Sequence, residues 1–195
     1  MKPFLSSIPY AAAPMLVCLD LQRQHTTGAA DVDRRAAGRC VETCKRVLRH
    51  ARAAGWQIAH VQRHDGRMAA LPELFRPIEG LEPRPREPVF YRDRPSAFAS
   101  TAFRDYVGRL GDPRLIVIGF SLHASVLFTA VSGFEAGTPI TVVEGALAAP
   151  SVSRFSGEVL ETVLLDVLST FAEVVSTDEL LDSTGSMLLQ AANHP

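Results

Sequence analysis

Residues 114–137 read RLIVIGFSLHASVLFTAVSGFEAG, and the order of features in this stretch decides the fold. Arg114 to Phe120 is a near-continuous apolar run of strand length, which predicts a strand buried on both faces, as in a parallel sheet. His123 to Ala136 then predicts a helix, with Gly137 as its stop. A buried strand passing through a tight turn into a helix is half of a βαβ unit.

The same unit recurs on either side. Met15 to Leu21 (MLVCLDL) predicts a first buried strand ending in one carboxylate, Asp20. Val41, Cys44, Val47, Leu48 and Ala51 recur at helical spacing and predict an amphipathic helix over 33–54, closed by Gly55. Trp56 to Gln62, Val89 to Tyr91, Pro139 to Val143 and Glu173 to Val175 predict further strands. Ser100 to Leu110 and Ser156 to Phe171 predict helices, with a short one at 177–182. Arg63 to Pro88, rich in proline, glycine and charge, predicts a long excursion of the kind that often carries function, with a helical fragment near 69–75. The expected architecture is a three-layer α/β/α fold, one domain over residues 1–195, with a mostly parallel sheet of about six strands. Ligands in such folds bind beyond the carboxyl ends of the strands. That rule gathers Asp20, Gln62, Arg92 and the 119–125 turn into one cleft.

Composition narrows the function. A hydrophobic share of 47% and a charged share of 21% are those of an ordinary globular domain. A net charge of -1 supplies no global attraction to nucleic acid or to an anionic membrane, so the expected partner is a small molecule. No apolar run approaches the roughly 20 residues of a membrane span, and the leader, broken by Pro9 and Pro14, makes a poor signal peptide. Cys18, Cys40 and Cys44 are too few and irregular for a disulfide framework, which favours the cytoplasm. Cys40 and Cys44, four apart on a helix, are expected to pack in the core.

Three segments carry a resemblance. LVCLDLQ at 16–22 resembles the first-strand motif of the isochorismatase-like (cysteine hydrolase) family, whose Asp-x-Gln supplies a catalytic aspartate. Arg92-Asp93-Arg94-Pro95-Ser96-Ala97-Phe98, with Thr101, is similar to the family's Lys-x-x-x-Ser-Ala-Phe-x-x-Thr. Gly119 to Ser125, followed by Thr129-Ala130, is similar to its strand-turn-helix, where a cysteine stands six residues after the glycine. The resemblance implies that Asp20, Arg92 and Ser125 occupy the triad positions, with arginine in place of lysine and serine in place of cysteine. Gly145-Ala146 also departs from a common Asp-Ala.

In the usual triad a carboxylate takes the thiol proton and a cation supports the thiolate that attacks an amide. A serine hydroxyl is a much weaker acid, and a carboxylate without an intervening histidine is a poor base for it. His123, two residues from Ser125, is a conceivable assistant. Arg92 stays charged and is suited to holding Asp20 or an anionic substrate group. The isochorismatases proper, which cleave a vinyl ether without a covalent step, share Gln62, Arg94, the Ser96 to Phe98 motif and His123 with this chain. Their tyrosine is Ser121 here.

The resemblance also implies a substrate pocket including Gln62, His64, Arg94, Phe98, Phe120, Ser121 and His123. It further implies a cis peptide at Phe120-Ser121 and a homodimer or homotetramer, with 183–195 either an arm across the interface or loose. His64 and Asp65 fall near the metal ligands of nicotinamidase-like members, but the remaining ligand spacing is absent, so neither metal nor cofactor is expected. Arg63 and Arg67 flank the cleft. Two functional readings stand: a hydrolase for a small carboxylated metabolite, cleaving an amide C–N or vinyl-ether bond with Asp20 as general acid/base, and a catalytically silent binding or assembly protein on the same scaffold.

Overall fold

The computed structural model describes residues 14–27 and 31–182. The expectations for the leader and for 183–195 lie outside the described residues. Six strands form one wholly parallel sheet: β1 (Met15–Leu19), β2 (Gln57–Arg63), β3 (Val89–Arg92), β4 (Leu115–Phe120), β5 (Ile140–Ala148) and β6 (Glu173–Ser176). Their order is β3-β2-β1-β4-β5-β6. The central pair, β1 and β4, is buried along its whole length, as continuous apolar runs require.

Helix α1 (Asp31–Ala53) covers one face, laying Cys40, Cys44, Val47, Leu48 and Ala51 on Leu16, Cys18, Ile116 and Ile118. After the short helix α2 (Pro72–Phe75), Ile78 and Leu81 join the same cluster. On the other face α3 (Thr101–Arg109), α4 (Leu127–Ala136) and α5 (Gly157–Leu168) bury Phe103, Val107, Ala130 and Leu168 against Met15, Val17, Leu115 and Val117. Residues 177–182 are helical. The architecture is therefore the expected α/β/α one. Cys40 and Cys44 are buried free thiols with sulfurs 3.9 Å apart, and Cys44 donates to the Ala146 carbonyl.

Most boundaries shift by one to three residues from the sequence reading, and two shift further. β5 runs on to Ala148, past Gly145, because the chain absorbs that glycine in a bulge: Val117 pairs with Val142 but Gly119 with Leu147, and Gly145 has φ +80°. The helix expected at His123 begins instead as a wide π turn over Leu122–Val126, with α4 proper starting at Leu127. Among the described residues no helix is long and apolar enough to cross a membrane.

The strand order reverses between β1 and β4, and there the two backbones approach unusually closely. Gly119 has φ +136°, and a Cβ at this position would lie 1.8 Å from the Leu19 carbonyl oxygen. Only glycine satisfies both constraints. Gly119→Ala is expected to destabilise the protein by about 3 kcal/mol or more. Gly66→Ala, with nothing within 4 Å of the added carbon, is expected to be nearly neutral, urea midpoints providing the measurement.

Candidate active site

Both central strands end in a strained residue. Asp20 leaves β1 with φ 53° and Ser121 leaves β4 with φ 60°, each in the left-handed region that costs a non-glycine residue about 1 kcal/mol or more. The expected cis peptide at Phe120-Ser121 is not found: no described residue has one. The chain turns through left-handed Ser121 instead, and this conformation starts the π turn that carries Ser125 back over β1.

Asp20, Arg92 and Ser125 meet here, 1%, 3% and 1% exposed respectively. Ser125 Oγ donates to Asp20 Oδ2 at 2.6 Å, and Arg92 Nη2 donates to the same carboxylate oxygen at 2.5 Å and to Ser125 Oγ at 2.9 Å. The three groups close a triangle. Arg92 Nη1 donates to the Arg94 carbonyl at 2.5 Å, which fixes the guanidinium plane. Burial draws the Arg92 guanidinium below its ordinary value and Asp20 opposes that shift, yet a guanidinium stays charged in water-accessible pH ranges.

Neighbouring segments hold the triangle in place. Thr129 Oγ1 donates to the Ser125 carbonyl and accepts from the Ala97 amide, while Ser96 Oγ donates to Ser132. The Ser96 to Phe98 stretch thus pins the loop after β3, and Arg92 with it, to the first turns of α4. Gln22 does the same for β2. Its amide accepts from the Arg63 N–H and donates to the carbonyls of Arg63 and Phe75, extending the sheet ladder with a side chain.

The remaining candidates fall into distinct environments. Phe98 is a core residue, edge-on to Phe103 at 5.6 Å. Gln62 is buried at the end of β2. His64 is exposed, its ring edge-on to Tyr91 at 5.5 Å, and no hydrogen bond joins its side chain to the triangle. Arg63 and Arg67 both grip Asp65, each at 2.9 Å, and hold its carboxyl well below the usual range. Arg94 is exposed. Phe120 and Ser121 line a cavity of about 250 Å³ at the sheet's carboxyl edge. His123 is half-buried, its Nδ1 has no partner, and burial lowers its pKa. In the turn, the Ala124 and Val126 amides donate to the Ser121 carbonyl, so neither is available to polarise a ligand. Among the described residues no three His, Cys, Asp or Glu side chains converge as a metal ligand set.

His25, which the sequence reading does not single out, also belongs to this region. It sits in a 3₁₀ turn, Arg23–His25, with its ring stacked on Phe120 at 5.2 Å and 5°. Burial lowers its pKa to about 4, the Asp20 carboxylate pulling the other way and Arg92, Arg63 and His123 adding to the fall. Five residues from Asp20 and without apolar periodicity, its polar type in a predicted loop gives no signal of burial.

The family described as Isochorismatase domain matches residues 14–179. The secreted isochorismatase effector Isc1 of Verticillium dahliae is 24% identical over 171 residues, covering 85% of this chain and 89% of that protein. The crystal structure of an isochorismatase from Pseudomonas putida KT2440 is similar with a TM-score of 0.78 and 27% identity, over 87% of this chain and 93% of that one. A hydrolase-family structure from Chromobacterium violaceum, at 20% identity, shares the fold with a TM-score of 0.80 over 95% and 100% of the two chains.

A pH prediction follows from His25. Its folded-state value, about 4, lies below the ordinary 6.5, so its contribution to stability is complete above pH 6.5 and is lost as pH falls toward 4. Urea midpoints are expected to drop across that window, and the drop should be shallower in His25→Phe.

Proposed function

The chain belongs to the isochorismatase domain family, and from that premise we propose that it is a hydrolase of a small carboxylated metabolite, cleaving an amide C–N bond with Asp20 as general acid/base and Ser125 as nucleophile. The observation that carries the reading is the closed triangle: the Ser125 hydroxyl donates to Asp20 Oδ2 at 2.6 Å, and the buried Arg92 guanidinium donates to that same carboxylate oxygen and to the hydroxyl oxygen. A serine is a weak nucleophile, and this geometry opposes that weakness in two ways. Asp20 Oδ2 is in place to take the proton as Oγ bonds to the carbonyl carbon, and Arg92 Nη2 stabilises the charge that develops on Oγ.

Collapse of the tetrahedral adduct breaks the C–N bond, and Asp20 returns the proton to the leaving amine. Water then adds to the acyl ester, gives a proton to Asp20, and releases the acid as Ser125 recovers its hydroxyl hydrogen. The substrate carboxylate is assigned to Arg94. It is exposed and without a side-chain partner among the described residues, whereas Arg63 and Arg67 are committed to Asp65. A vinyl ether, by contrast, needs no nucleophile and leaves the Ser125 to Asp20 bond without a task.

Assembly as a homodimer or homotetramer is part of the same reading. Val159, Val163 and Val167 stand one helical turn apart on α5, 49%, 54% and 41% exposed, and a second copy would cover this apolar stripe. The cytoplasm remains the compartment we assign, on the three free thiols.

Turnover of a panel of small carboxylated amides, with isochorismate as the ether control, tests the reaction. Asp20→Asn and Ser125→Ala are each expected to lower kcat by about 100-fold or more, and Ser125→Cys to raise it. Arg94→Ala should raise KM with kcat nearly unchanged. Activity that appears only in Ser125→Cys would instead identify a silent binding scaffold. For assembly, Val163→Glu is expected to shift the mass measured by light scattering toward the monomer.

A further inference from the structure

Two polar atoms beside the triangle have no partner. Asp20 Oδ1 and His25 Nε2 are both shut off from solvent, and neither makes a hydrogen bond among the described residues. Each such atom costs about 1–3 kcal/mol when left unpaired, and the triangle does not use either of them. The His25 ring is not free to turn away, because it lies flat on Phe120, itself 3% exposed. His25, Phe120 and Ser121 line the cavity of about 250 Å³ together with Ala148, Ala149 and Pro150. Gln24, Thr27 and Asp33 complete a lining of mixed polarity, in which the imidazole is held by its stack on Phe120.

We propose that His25 is the specificity-determining residue of this site, its Nε2 making a hydrogen bond to a neutral hydroxyl or carbonyl that the substrate carries apart from the bond to be cleaved. The inference rests on the substrate site assigned above, but not on the Ser125 chemistry. A neutral imidazole, the form that burial favours, can donate or accept and so suits either group. An anionic group is a poor occupant, since the charged side chain in the lining is the Asp33 carboxylate. An apolar group would leave Nε2 unpaired, and sites built to hydrogen-bond a ligand reject analogues that lack the partner. His25 acts here on binding and takes no part in moving the Ser125 proton.

The test measures binding, so it stands apart from turnover. Benzoate and the three monohydroxybenzoates are titrated into wild type, His25→Phe and His25→Gln by calorimetry, while the His25 ring nitrogens are followed by NMR. At least one hydroxybenzoate should bind wild type about tenfold more tightly than benzoate and shift the His25 Nε2 resonance. His25→Phe, which keeps the stack on Phe120, should bind that hydroxybenzoate and benzoate equally. His25→Gln, which restores a polar atom near Nε2, should recover part of the preference. A preference of the same size in His25→Phe, an unmoved Nε2 resonance at saturation, or no saturable binding to wild type would each overturn the proposal. Loss of hydrolysis in any variant with the binding preference intact would count against the Ser125 mechanism alone.

Discussion

The site depends on the contact between the Gly119 backbone and the Leu19 carbonyl. Because β1 and β4 touch at their carboxyl ends without an intervening side chain, the residues leaving them start within reach of one another. Asp20 and Ser121 then each adopt a left-handed conformation, and the two strained exits turn toward each other. Arg92, coming from β3 across the end of β2, completes the arrangement from the opposite side. A sheet with the same strands but a side chain at position 119 would hold those groups apart.

A second buried polar network, of Glu87, Arg52 and His60, joins α1, β2 and the loop before β3. Glu87 accepts from Arg52 through both carboxylate oxygens and from His60, which is 1% exposed in the middle of β2. Burial opposes the Glu87 charge, but Arg52, His60 and the Arg84 amide overcome that and hold its pKa at about 2. This network ties the end of the 63–88 excursion to α1 and β2, as Gln22 ties its beginning. The excursion is long yet anchored at both ends by buried polar groups.

Much of this was legible in the sequence where burial is continuous. MLVCL and LIVIGF have one reading, since a run apolar on both faces suits a strand covered twice, and α1 announced itself by its 3.6-residue spacing. The convergence of Asp20, Arg92 and Ser125 was reached by combining three motifs with the rule that ligands sit at strand ends. Legibility failed where backbone geometry, not residue type, decides. Gly145 looks like a strand stop and is a bulge inside β5; the entry to α4 widens into a π turn; Ser121 reverses the chain without a cis bond. It failed again where a side chain replaces backbone, as Gln22 does beside Arg63, and for His25, whose burial comes from a stacking partner 95 positions away in the chain. Such contacts have no periodicity to betray them.

The strands β3 and β6 border the sheet, and each is only four residues long, while the nine residues of β5 lie inside. A foreign segment seeking to join by backbone pairing therefore finds very few unpaired amides on which to build. Growth by strand addition, the usual route from an open sheet to fibres, is closed off by brevity alone.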